Sequence, residues 1–194
     1  MSDTQVSHDS VARPETEGLH RLVREVADLC QYPDEKIHSR VEGVLELVTE
    51  HLPEHQPQAE KFAEYVRQSS LSSLEEVYTG TFDYAADCAL ECGWHVFGES
   101  YDRGAFLVKM RVALERWNEP EFGLLPDHLH CLMRLLCHPL DFEERSQVMV
   151  VVGPALEKIC KALESQGNPY HSLLLLAEGT VKGWCSKLPS GEKA

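Results

Sequence analysis

"LHRLVREVADLC", residues 19–30, decides the fold. Leu19, Leu22, Val23, Val26 and Cys30 recur at i, i+3, i+4, i+7 and i+11. That spacing gathers apolar side chains on one face of an α-helix. Tyr32-Pro33-Asp34 ends the stripe, and Asp34 is a good cap for the next helix. The same period then returns in Ile37, Val41, Val44, Leu45, Val48 and Leu52. Pro53 and Pro57 bracket a turn before a weaker helix with Phe62, Tyr65 and Val66. No alternating apolar and polar stretch competes as a strand.

Further out, Leu74, Val77, Tyr78 and Phe82 keep helical spacing after a serine-rich turn. Residues 85–97 read as one apolar helix that Gly98 closes. The next helix should open near Asp102, where an acid suits the helix dipole, and bury Phe106, Met110, Ala113, Leu114 and Trp117. After a loop over 118–123, Pro126 suits the first residue of a helix lined by Leu125, Leu129, Leu132, Met133 and Leu136. His138-Pro139 ends it. Phe142, Met149, Val152, Leu156, Ile159 and Leu163 line a long helix that Gly153-Pro154 should kink or split. Gly167-Asn168-Pro169 precedes a last helix with Tyr170, Leu173, Leu174, Ala177, Val181 and Trp184. The expectation is an all-α, single-domain bundle of eight or nine helices over residues 16–187, with polar tails at 1–15 and 188–194.

The formal charge is −14, from 18 Lys and Arg against 32 Asp and Glu. A field of that sign repels nucleic acid and anionic membranes and attracts basic partners. No run approaches the length of a membrane helix, which argues against stable membrane insertion. The N-terminal residues show neither an apolar signal core nor an Arg-Arg pair, so a cytoplasmic location is expected. Seven cysteines spread over apolar segments fit reduced core thiols better than a disulfide framework.

Cys88, Cys92 and His95 fall at i, i+4 and i+7, so on one helix they would share a face. Thiolate and imidazole suit zinc, but three ligands spread along one straight helix reach one ion poorly. His128, His130, Cys131, Cys137 and His138 form a second cluster with no defensible metal spacing. A Cys–His nucleophile there would need hydrogen-bond contact and an orienting group. These clusters leave a metal-binding protein or a small hydrolytic enzyme as the alternative, and neither a metal nor a cofactor is expected. Asp127 and His128 are expected in the first turn of their helix, with Asp127 as a cap and His128 partly exposed.

"HVFGESYDRG" (95–104) packs both signs of charge into one helix junction. Its plainest reading is a corner: Gly98 as the left-handed residue, Glu99 and Asp102 at the next N-terminus, and Arg103 paired with one of them. Gly104 fits that reading poorly, since a glycine inside a helix costs about 1 kcal/mol relative to Ala. It suggests a close approach to the backbone.

"LEEVYTGTFD" (74–83), "HVFGESYDRG" and "LPDHL" (125–129) follow in that order. Together they resemble the NarJ/TorD/DmsD family of molybdoenzyme assembly chaperones, the NarJ branch most closely, over roughly residues 20–185. The resemblance implies an all-α cytoplasmic protein that is not an enzyme. Its partner would be the N-terminal, twin-arginine leader-like segment of a molybdenum oxidoreductase catalytic subunit, nitrate reductase or a relative, held back from export or membrane attachment while the molybdenum cofactor is inserted. It implies a peptide-binding set of His95, Phe97, Glu99, Arg103, Asp127, His128 and Leu129. Tyr78, Phe82, Asp83, Gly98 and Gly104 would be its structural positions. The family often reads Asp-His-Leu-Pro with an acid later in that helix; here His130 and Arg134 stand instead, which points to a different client leader. A monomer, or a dimer swapped across a hinge at 118–126, fits such a domain.

Overall fold

The helical stripes fold as expected where each has one apolar face to bury. In a computed structural model that describes residues 14–187, helix α1 spans Pro14–Leu29, and Leu19, Leu22, Val23 and Val26 are all fully or nearly enclosed. Its partners are α9 (His171–Lys187), α2 (Ile37–His51) and α7 (Leu129–Leu136). Helix α3 (Gln56–Gln68) packs on α2 and α9, while α8 (Phe142–Ser165) covers α5 (Cys92–Phe97) and touches α7 and α9. With α4 (Leu71–Tyr78) and α6 (Tyr101–Arg116), nine α-helices form one all-α domain around a single apolar core among the described residues. The last two residues of the expected 1–15 tail open α1; the rest of it, and the tail at 188–194, lie outside the described residues.

"LEEVYTGTFD" serves this core. Helix α4 runs into a π-helical turn at Thr79–Asp83, a wider winding that sets Tyr78 and Phe82 together. Their rings meet at 4.9 Å and enclose Tyr170 at 5.9 and 5.1 Å. The Tyr78 hydroxyl donates to the Cys30 carbonyl at 3.1 Å, so the buried phenol is satisfied. Asp83 is exposed.

Four expectations need correction. Residues 85–97 are helical only from Cys92; before that the chain turns at 85–88 and runs extended. There it meets the other motif: Cys92 N–H donates to the Asp127 carbonyl and Leu129 N–H to the Leu90 carbonyl, each at 2.8 Å. Glu91 and His128 thus form an isolated antiparallel bridge. Distant backbone partners outcompete the local helix here. Second, Pro126 does not open α7; the helix starts at Leu129, and His128 is its N-cap, accepting the His130 N–H through Nδ1 at 3.1 Å. Third, α8 passes Pro154 without splitting. Pro154 lies on the exposed side, where water can serve the carbonyl that it leaves free, and Val151, Val152, Ala155 and Leu156 hold the helix from the buried side. Fourth, Leu125 and Phe142 do not join the core; they are 43% and 58% exposed. Among the described residues no helix is long and apolar enough to cross a membrane.

Candidate functional site

Helix α5 ends at Gly98, whose φ of 58° and ψ of −150° lie in a region open essentially to glycine alone, not in the left-handed helical basin expected for it. Ser100 caps α6 by accepting the Arg103 N–H at 3.3 Å, and Asp102 stands in the first turn, as expected. Arg103 does not pair with its neighbours Glu99 or Asp102. Its Nε donates to Asp127 Oδ2 at 2.9 Å, which ties the "HVFGESYDRG" corner to the "LPDHL" segment. Gly93 makes room for this pair, since a Cβ there would lie 2.5 Å from Asp127 Oδ2. The Arg103 guanidinium also lies over the Trp94 ring, 5.8 Å from its centroid.

The residues expected to contact a peptide divide into two groups. Asp127, His128 and Leu129 are buried, at 0, 3 and 0% exposure, so they lie beneath the surface and not on it. Burial, and then His130, pushes the His128 imidazole down to about 3, so it stays neutral. His95 is half-buried and bonds through Nε2 to the Ala89 carbonyl at 2.7 Å; burial lowers its pKa. Phe97 is half-buried against Phe106. Glu99 and Arg103 reach a shallow depression, which Ser100, Tyr101, Gly104 and Leu107 also line. Among the described residues, no atom outside the surrounding turn of α6 lies within 4 Å of a Cβ built on Gly104, so no tertiary contact requires glycine there.

Neither Cys/His cluster assembles. Cys88 lies in the turn before α5, so Cys88, Cys92 and His95 do not share a helix face. Burial raises the Cys131 and Cys137 thiols to about 12, which makes them poor nucleophiles. Cys137 donates weakly to the His20 and Met133 carbonyls, and His138 bonds to Glu119. Among the described residues no group of three His, Cys, Asp or Glu side chains is placed to hold a metal ion.

A second surface feature lies outside the residues expected to contact a peptide. Helix α6 buries Phe106, Met110, Ala113 and Leu114, yet its outer face carries Tyr101, Ala105, Val108 and Val112, all exposed. Tyr101 is 98% exposed. Helix α6 packs chiefly on α5 and α7, leaving a groove of about 400 Å3 between α6 and α8. Val108, Val112, Leu140 and Val148 make the groove apolar, Leu135 of α7 contributes to its lining, and its rim carries both signs: Lys109 and Arg116 on the α6 side, Asp141, Glu143 and Glu144 on the α8 side, with Arg116 paired to Glu144 at 2.6 Å and Asp141 capping α8. Apolar residues on two sides of one helix, at 101, 105, 108 and 112 and at 106, 110, 113 and 114, are the signal that would have found it.

No protein-family model matches the chain, and no curated protein matches it.

Proposed function

We propose that this chain is a cytoplasmic assembly chaperone for a molybdenum oxidoreductase. It would hold the leader-like N-terminal segment of the catalytic subunit while the cofactor is inserted, and catalyse no reaction itself. The observation that carries this reading is the exposed apolar outer face of α6 with the apolar groove beside it, on whose mixed-charge rim Glu143 makes no ion pair among the described residues. A leader joins a basic stretch to an apolar core of about 7–15 residues. An apolar groove takes the core, and carboxylates take the basic end. The −14 charge favours the approach of such a segment, while apolar burial supplies most of the affinity. The two motif stretches adjoin at the Arg103–Asp127 pair, which supports reading them as one functional unit.

The test is to purify the tagged chain from its native cells, identify what accompanies it and assay the same sample for metal. The reading expects a molybdoenzyme catalytic subunit, lost when that subunit's N-terminal segment is deleted and reduced when Val108→Asp is introduced. Capture that is indifferent to the segment would overturn it. Stoichiometric metal on a chain without such a partner would favour the metal-protein alternative instead.

A further inference from the structure

Asp127 is fully buried yet only half satisfied. Oδ2 accepts from Arg103, while Oδ1 has no hydrogen-bond partner among the described residues. A buried polar atom left unpaired is destabilising, the more so when it is charged. Glu91 stands close by, paired with His128 across the extended bridge and half-buried. Burial and then Asp127 push its carboxyl up, and Arg103 pulls it down. The backbone bridge thus sets a second carboxyl group near the pair, and Arg103 bonds only Asp127. Arg103 uses only Nε on Asp127, whereas arginine and carboxylate often pair through two parallel bonds. Its side chain is 18% exposed and lies between Asp127 and the open depression beside Gly104.

We propose that Asp127 is a guanidinium-binding carboxylate, that Arg103 occupies it as an intramolecular stand-in, and that an arginine from a partner segment takes Arg103's place. The leader reading above supplies the source of that arginine; the site itself does not depend on it. In the exchange Arg103 moves out toward solvent beside Glu99. The incoming group reaches both Asp127 oxygens, the unpartnered Oδ1 included.

Two measurements test this. The first is thermal unfolding in ethylguanidinium, with ethylammonium as control. Arg103→Ala should gain about 2–4 °C in Tm from millimolar ethylguanidinium, as expected for a ligand that binds only the folded chain. Arg103→Ala/Asp127→Asn should gain nothing. Should Arg103→Ala not fold, Arg103→Lys carries the same test. Equal responses in the single and double variants would overturn the site. The second is titration with a synthetic peptide that joins an Arg-Arg pair to an apolar run of about 12 residues, against its Gln-Gln version. Arg103→Lys should bind the arginine peptide about 10-fold tighter than the unsubstituted chain, because a weaker stand-in is easier to displace. Asp127→Asn should lose the preference for arginine. Unchanged affinity in Arg103→Lys with the preference kept in Asp127→Asn would overturn the exchange. If neither peptide binds any variant while ethylguanidinium still stabilises Arg103→Ala, the guanidinium site stands and the leader reading falls.

Discussion

Glu119 and Asp127 are both buried acids in or next to the loop that joins α6 to α7, and their surroundings differ in one respect. Glu119 accepts Arg24 at 2.6 Å, His138 at 2.7 Å and Arg134 at 2.8 Å, and Arg134 also reaches Asp28 at 3.0 Å. Burial pushes its carboxyl up, but these three donors overcome burial and hold it at about 2. Asp127 has one donor, one orphan oxygen and a second carboxylate nearby. A satisfied cluster fixes structure: Glu119 binds the loop to α1 and α7 at the expected hinge. An unsatisfied one stores an interaction that another molecule can complete.

Removing Glu119 should therefore have the largest effect on stability. Glu119→Gln leaves Arg24, Arg134 and His138 around an uncharged amide and should cost about 3 kcal/mol in urea unfolding. The sign of its pH dependence follows from the lowered carboxyl. The contribution is complete above about pH 4.5 and is lost as pH falls toward 2. Glu119→Gln should lack that portion of acid sensitivity. A loss below 1 kcal/mol would remove the contrast between the two carboxylates.

Next come the substitutions around Asp127. Arg103→Ala strips the buried carboxylate of its one cation among the described residues and should cost about 2 kcal/mol, with Asp127→Asn in the same chain recovering about half. No recovery would mean that Arg103 acts through packing on Trp94 and not through charge. Gly93→Ala drives a methyl group against Asp127 Oδ2 and should cost about 1–3 kcal/mol. A neutral result would show that the Asp127 side chain yields easily.

The unequal legibility of the two clusters has a physical reason. Helix α1 was readable because every fourth or third residue is apolar and each goes to the same core. Residues 85–91 were not, since Leu90 and Cys92 satisfy a helical pattern but their backbone partners lie near residue 128. Local spacing is silent about such partners. Arg103 offered two acids within four residues, Glu99 and Asp102, and chose one 24 residues away because α5 and the extended segment bring Asp127 underneath it. Glu119 stood in a plain loop sequence, and nothing marked it as the centre of three cations. Helix α6 is the opposite case: both apolar faces stand in its sequence, and spacing alone does not say which of the two is buried.

That face yields the smallest stability effect and the clearest separation of roles. Gly104→Ala adds a methyl group that meets no atom of the described residues within 4 Å beyond its own helical turn, on a helical residue with no positive φ to preserve. In the free chain it should stabilise the fold by about 0.5–1 kcal/mol. Val108→Asp, 64% exposed, should change stability by no more than about 0.5 kcal/mol. If the outer face of α6 is a docking surface, both should weaken partner capture although one stabilises the chain and the other leaves it unchanged: the methyl group would fill the approach to the backbone, and the carboxylate would wet the groove. Binding that instead follows stability across the pair would place recognition elsewhere and leave Gly104 without a reason at its position.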